Sequence, residues 1–225
     1  MPEIVACMNV YNEASTIKRA VDSVLQIADR VVAVDGRYPD FPGPAPNSDD
    51  GTIDILRGYG SKVTLLLCSE PRPQNVKRTM YLDGLNEGDW AFIMDGDEEL
   101  VLSKPAEWVR DEILRHDEGV KGYYAQEVVD ISGTEDWWPV IYRFEQGMSY
   151  DDTCLLVNRN FRPVLKRPPG ARAVNTAGYY QFEFGMMPLY GCKLVHHRFG
   201  RPGERLARKF EYWKSQMVNR VVKAQ

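Results

Sequence analysis

Short apolar runs alternate with amphipathic ones through the first hundred residues. Glu3–Met8, Arg30–Val34, Lys62–Leu67 and Trp90–Met94 are each rich in Val, Ile or Leu and bounded by polar residues, which predicts four strands. Between the first two, Ala14, Ile17, Val21, Val24, Leu25 and Ala28 recur at the three-four spacing of one helix face. Asn12 is the expected N-cap of that helix, and Glu13 suits its positive end. Shorter helices are expected over Thr52–Tyr59 and over Pro73–Leu85, the latter with Pro73 at its first position. Strands alternating with helices predict an α/β fold: an open, mostly parallel, Rossmann-like sheet with helices on both faces.

After Leu100 the pattern loosens. A helix over Pro105–Arg115 and a strand over Gly122–Val129 are followed by aromatic and Pro/Gly-rich sequence up to Gly191. Leu206, Phe210, Trp213, Met217 and Val221 then mark the apolar stripe of a last, basic helix. The expected organisation is therefore residues 1–100 as a ligand-binding half, 101–200 as an irregular second half of the same domain, and 201–225 as an amphipathic C-terminal helix. One connection stands apart: Gly36–Asn47 carries four prolines and is too long and stiff for a simple turn.

Composition refines this picture modestly. A 225-residue chain with 44% hydrophobic residues has enough apolar sequence for a real core. Its formal charge of -4 calls for neither nucleic acid nor a membrane, although Arg198–Gln225 holds eight Lys and Arg against two Glu. Cys7, Cys68, Cys154 and Cys192 are far apart with no Cys-x-x-Cys pair, so neither a zinc site nor a disulfide framework is indicated. With no leader-like N-terminus and no apolar run near the roughly 20 residues of a membrane span, a soluble, cytoplasmic protein is expected.

In a doubly wound sheet the ligand crevice lies beyond the carboxyl ends of the strands. Those positions are acidic here: Asn12 and Glu13 after the first strand, Asp35 after the second, and Asp95, Asp97, Glu98 and Glu99 after the fourth. Asp95 and Asp97 have the two-residue spacing that points side chains one way from a strand, with Gly96 between them leaving room for a ligand. Hard divalent cations that bridge to substrate phosphates favour such a pair; the plain alternative is a solvated acidic turn. Lys77 and Arg78 fall near the start of a helix, where cations oppose the dipole. A nearby phosphate would account for them, as would ordinary surface placement.

Val10-Tyr11-Asn12-Glu13, Val31-Val32-Ala33-Val34-Asp35-Gly36, Ser48-Asp49-Asp50-Gly51-Thr52 and Asp89–Leu100 together resemble glycosyltransferase family 2, which has the GT-A fold. The resemblance implies that Asp35 contacts the base or ribose, that the Asn12-Glu13 turn shapes the nucleotide pocket, and that Asp95 and Asp97 engage ribose, diphosphate and a divalent cation, Mn2+ or Mg2+; Asp50, Lys77 and Arg78 complete the expected nucleotide-sugar-binding set. The Gly36–Asn47 stretch departs from the family, because it separates two motifs that ordinarily lie nearly adjacent. Val195-His196-His197-Arg198-Phe199 is similar to the C-terminal histidine motif of some GT-A enzymes, which makes His197, with His196 beside it, a further metal ligand.

The implied reaction is attack of an acceptor hydroxyl on the anomeric carbon of a nucleoside-diphosphate sugar, with inversion. Asp136 in Thr134-Glu135-Asp136-Trp137-Trp138 and Glu183 are the leading candidates for the base, with Asp151 and Asp152 also competing. Trp137 and Trp138 have the flat apolar rings that suit a sugar face. The acceptor is unknown, and the basic C-terminal helix has three uses open to it: packing, homo-oligomerisation, or peripheral contact with the inner face of an anionic membrane. Two rivals share the acidic strand ends. A sugar nucleotidyltransferase would carry a Gly-rich basic loop that Cys7–Glu13 lacks; an inactive nucleotide- or carbohydrate-binding protein differs only in turnover.

Overall fold

Every residue of β1 (Ile4–Val10) is buried, as a central parallel strand requires. β2 (Arg30–Asp35), β3 (Val63–Leu67) and β4 (Trp90–Asp95) run parallel to it in the order β3-β2-β1-β4, all within two residues of the predicted bounds. The structure is a computed structural model that describes residues 1–39, 41, 43–115, 119–129, 135–150, 156–157 and 186–197.

Helices cover both faces. On one face, α1 (Ile17–Val24), α2 (Thr52–Arg57) and α4 (Ala106–Leu114) bury Ile17, Val21, Leu56, Val109 and Ile113 against Ala6, Met8 and Phe92. On the other, α3 (Gln74–Leu82) buries Tyr81 and Leu82 against Val5, Cys7 and Val34. Each such aliphatic side chain contributes about 1.5–3 kcal/mol on leaving water.

Two helix starts differ from expectation. The N-cap of α1 is Thr16, since a turn over Ala14–Thr16 precedes the helix and the amides of Thr16 and Ile17 both donate to the Glu13 carbonyl. Asn12 instead adopts a left-handed backbone with φ of 54°, a conformation asparagine tolerates better than most residues. Pro73 is the N-cap of α3, with an extended ψ of 156°, rather than its first helical residue.

The larger correction concerns the second half, which is more regular than its sequence suggests. β5 (Glu98–Leu102), β6 (Gly122–Val129), β7 (Glu135–Arg143) and β10 (Met186–His196) extend the first four strands into an eight-stranded sheet of order β3-β2-β1-β4-β7-β6-β10-β5. A two-residue pair, β8 (Ser149–Tyr150) and β9 (Leu156–Val157), lies apart. Four of its seven pairings, β3–β2, β2–β1, β1–β4 and β6–β10, are parallel, while β4–β7, β7–β6 and β10–β5 are antiparallel, so the sheet is mixed. β6 keeps its predicted bounds, and prolines hid β7 and β10. Pro139 sits at a register shift between β6 and β7, and Pro188 opens the shift between β6 and β10 that Gly191, at φ of 96°, completes. Proline lacks a ladder donor, so it is tolerated at such irregularities and nowhere else in an interior strand.

Glu183, Asp151, Asp152 and the expected 201–225 helix lie outside the described residues. No described helix is long and apolar enough to cross a membrane.

Candidate active site

The order β3-β2-β1-β4 reverses direction at β1, and open α/β sheets place their ligand crevice at such a point, here between the carboxyl ends of β1 and β4. Asn9 and Asp95 are register partners at that point. The loops that follow β1 and β2 are tied to one another before any ligand arrives. Asp35 is fully buried: the Ser48 amide donates to its Oδ1 at 2.8 Å and the Ser48 hydroxyl donates to its Oδ2. Burial raises its carboxyl pKa, against the opposing pull of those hydrogen bonds and of Lys77. Ser48 also accepts from the Asn12 amide at 2.6 Å, and the Asn12 side chain accepts from the Asp49 amide at 2.9 Å. Asp50 takes hydrogen bonds from Ala14 N, Thr52 N and Thr52 Oγ1, and Thr52 Oγ1 in turn accepts from Glu13 N at 2.7 Å. Asn12, Glu13, Asp35 and Asp50 thus brace one corner of the crevice.

Lys77 is not a surface charge. Only 1% exposed, it donates from Nζ to Gly36 O at 2.6 Å and Val10 O at 3.2 Å, clamping the ends of β1 and β2, and lies 4.6 Å from the Tyr38 ring centroid. Burial pushes its pKa down to about 8, although Cys68, Asp35 and Asp95 favour the charge. Arg78, one residue on, packs over the Tyr150 ring and reaches to 3.9 Å from Asp95 Oδ1, with its Nε buried and without a hydrogen-bond partner among the described residues.

Asp95 and Asp97 engage different partners, because Gly96 and Asp97 form a turn into β5 and end the strand alternation. Asp95 ends β4 partly exposed, on the side of Arg78. Asp97 is buried, and its Oδ2 lies 3.0 Å from His196 Nε2. Gly96 makes room for protein and not for ligand: a Cβ there would sit 3.1 Å from both Glu13 Cγ and Val10 Cγ1.

The second face of the site comes from β6, which keeps its predicted bounds, and from β5 and β10, which the sequence did not reveal. β10 brings His196 opposite Glu98 of β5 and diagonal to Glu127 of β6. His196 Nδ1 lies 3.1 Å from Glu127 Oε1, and one ligand atom each from Glu98, Glu127 and His196 fall within 4.8 Å of one another. Burial works against a charge on His196, but its hydrogen bonds to Asp97 and Glu127 outweigh that and push its pKa up to about 10. Glu98 moves upward as well, through burial and the neighbouring Asp95 charge, and its Oε2 accepts from the Asp95 amide at 2.7 Å. Carboxylates around one imidazole form a donor set that fits a divalent cation, whose charge would relieve the crowding of Asp97, Glu98 and Glu127. His197 points elsewhere, with Nε2 2.7 Å from Glu99 Oε2, and Arg19 lies 3.5 Å from the same oxygen. Backbone register sets Asp136 opposite Glu127.

Sequence reasoning missed Glu98 and Glu127 as members of this cluster, and it missed Asn9. Glu127 carries no local motif; it is recruited by the β6–β10 pairing alone. Asn9 is 6% exposed, and neither its Nδ2 nor its Oδ1 has a hydrogen-bond partner among the described residues. A buried amide left unpaired costs about 1–3 kcal/mol, so its place beside Asp95 at the crevice marks a position that a polar ligand would satisfy.

No family model matches the chain. Over 98 residues, 44% of its length, it is 33% identical to an uncharacterized glycosyltransferase of Rickettsia bellii, of which the match covers 29%. A second uncharacterized glycosyltransferase, from Rickettsia felis, is 33% identical over 100 residues, covering 44% of this chain and 30% of that protein. The chain thus matches less than a third of the length of these relatives. Among solved structures, S. aureus TarS superposes with a TM-score of 0.39 at 17% identity, over 65% of this chain and 24% of TarS. The mannosyltransferase PcManGT from Pyrobaculum calidifontis, in complex with GDP-Man and Mn2+, gives 0.42 at 20% identity, over 55% of this chain and 35% of that one.

Proposed function

We propose that this chain is a metal-dependent, inverting glycosyltransferase of GT-A, family 2-like type, which moves a sugar from a nucleoside-diphosphate sugar to an acceptor hydroxyl. One observation carries the reading. Asp97, Glu98, Glu127 and His196 converge beside the end of β4, next to the crevice where the strand order reverses. The partial similarity to two glycosyltransferases supports it independently.

In this reading Asp97, Glu98, Glu127 and His196 hold Mn2+ or Mg2+, the single imidazole favouring Mn2+. The ion would offset the charge of the departing diphosphate. Asp95 and Arg78 face the ribose and diphosphate, and the braced corner of Asn12, Glu13, Asp35 and Asp50 shapes the pocket for the base. Lys77 acts through the backbone: by holding Val10 O and Gly36 O it fixes that corner in place. A carboxylate, Asp136 or Glu183, takes the acceptor hydroxyl's proton as its oxygen attacks the anomeric carbon and the bond to the diphosphate breaks. Buried free thiols at Cys7, Cys68 and Cys192 are in keeping with action in a reducing cytoplasm.

The reading is tested by incubating the protein with UDP-, GDP- and dTDP-sugars, with and without MnCl2. Manganese-dependent release of a nucleoside diphosphate from one donor class is expected; binding of nucleotides without turnover under any condition would reduce the chain to a binding protein. Asn9→Ala gives a second check. Because its amide has no hydrogen bond to lose among the described residues, the melting temperature should hold or rise, while affinity for the nucleotide falls by about tenfold. A fall in stability with unchanged nucleotide affinity would remove Asn9 from the site.

A further inference from the structure

The strands that carry Glu127 and His196 on one face carry a different set of side chains on the other. Trp137 of β7 pairs in register with Gln126 of β6, and Gln126 pairs with Lys193 of β10. Residues in register share a face, so ring, amide and ammonium form one row. Tyr190 joins it. The register shift at Gly191 turns Tyr190 outward, to 62% exposure, with its ring edge-on to Trp137 at 5.8 Å between centroids. This row lies at the crevice end of the sheet: Phe92, Ile141 and Tyr123 are level across β4, β7 and β6, and Asp95 and Gln126 stand equally far beyond that level. Trp137 packs against the same core that α3 covers, so the row and Asp95 share the α3 side of the sheet.

We propose that Trp137, Tyr190, Gln126 and Lys193 form the binding ledge for a saccharide acceptor. The proposal rests on the glycosyltransferase reading and adds to it the chemical class of the acceptor. A flat exposed ring beside hydrogen-bonding groups matches a sugar, which offers a C–H face to the ring and hydroxyls to the amide and ammonium. A protein partner fits less well. Stable protein interfaces take about 800 Å² per partner and some 20–30 residues, far more than four side chains provide. The row stands level with Asp95 and on the same side of the sheet, so a saccharide on it would lie along the side of the strand ends from which Asp95 projects.

Saturation-transfer NMR on the full chain with chitotetraose, mannotetraose and trigalacturonate tests the ledge, with UDP and GDP titrated in parallel in MnCl2. At least one oligosaccharide is expected to bind. Its affinity should fall about tenfold in Tyr190→Ala, an exposed position at which truncation leaves the core intact, and be retained in Tyr190→Phe. Nucleotide affinity should not change in either variant. If a nucleotide binds and none of the three oligosaccharides does, or if Tyr190→Ala binds them as tightly as the parent, the ledge is wrong and the donor reading stands. If an oligosaccharide binds through Tyr190 and no nucleotide binds, the ledge stands as a saccharide site and the transferase reading falls.

Discussion

Replacing Asp97 by asparagine is expected to lower manganese-dependent release of nucleoside diphosphate by on the order of 100-fold or more, while the protein remains folded. Asp97 is 1% exposed, and its carboxylate is committed to His196 at 3.0 Å. Asparagine keeps the size and shape of the side chain, and the Asp97 carbonyl still accepts from the His197 amide at 2.9 Å, so the turn into β5 is preserved. What is lost is the negative charge. A circular-dichroism melt and a turnover assay on the same sample separate the two effects. A further readout comes from the metal-free protein, in which His196 titrates near pH 10 because the hydrogen bonds to Asp97 and Glu127 outweigh its burial. With Asp97 neutral, NMR of the imidazole protons should place that titration lower. Wild-type turnover in Asp97→Asn would separate this cluster from the reaction altogether.

Much of this site was legible from the first hundred residues because its parts lie where strands stop. Parallel strands buried on both faces read as uninterrupted Val, Ile and Leu runs, so the ends of β1, β2 and β4 could be located to within two residues, and with them Asn12, Asp35 and Asp95. What those residues do was less visible. Asp35 and Asp50 look like ligand-facing acids in the sequence, yet both are engaged by the Ser48 and Thr52 corner, a matter of loop geometry that no spacing rule predicts. The spacing of Asp95 and Asp97 suggested a shared direction, but the alternation of a strand holds only while the strand continues, and the chain turns at Gly96. The other half of the cluster depends on pairing between segments about 70 residues apart, Glu127 with His196. Charge alone would not have separated His196 from His197. Their roles follow from alternation along β10, which gives His196 to Asp97 and Glu127, and from the chain's exit past the strand end, which gives His197 to Glu99.

The stability conferred by Lys77 should rise with pH, and comparison with Lys77→Met isolates it. Lys77 is nearly inaccessible, and burial lowers its pKa from 10.5 to about 8 in the folded protein. The sign follows from proton counting. Between about pH 8 and 10.5 the unfolded chain keeps the proton that the folded chain has released, so unfolding takes up a proton and stability climbs with pH. Below pH 8 both states are charged and the full cost of burying the ammonium remains; above 10.5 neither is, and that cost is gone. At about 1.4 kcal/mol per pKa unit, the change across this window is roughly 3 kcal/mol. Other groups titrate in the same range, among them Cys7, whose thiol burial pushes upward with the opposite effect on stability. Methionine has a similar volume and no proton, so the contributions of groups that do not sense the Lys77 charge, Cys7 among them, cancel in the difference between the two proteins, whereas that of Cys68, which does sense it, is part of the difference. At pH 7 that difference combines two opposed terms: the variant is relieved of a buried charge, but it leaves Val10 O and Gly36 O without their donor. Urea unfolding at pH 7, 8, 9 and 10 should therefore show wild type gaining on Lys77→Met across the last three points. A constant difference would mean that the ammonium is solvated and does not clamp the ends of β1 and β2. Nucleotide affinity should fall in Lys77→Met at every pH, since the corner that Lys77 holds would be free to shift even when its charge is no longer a cost.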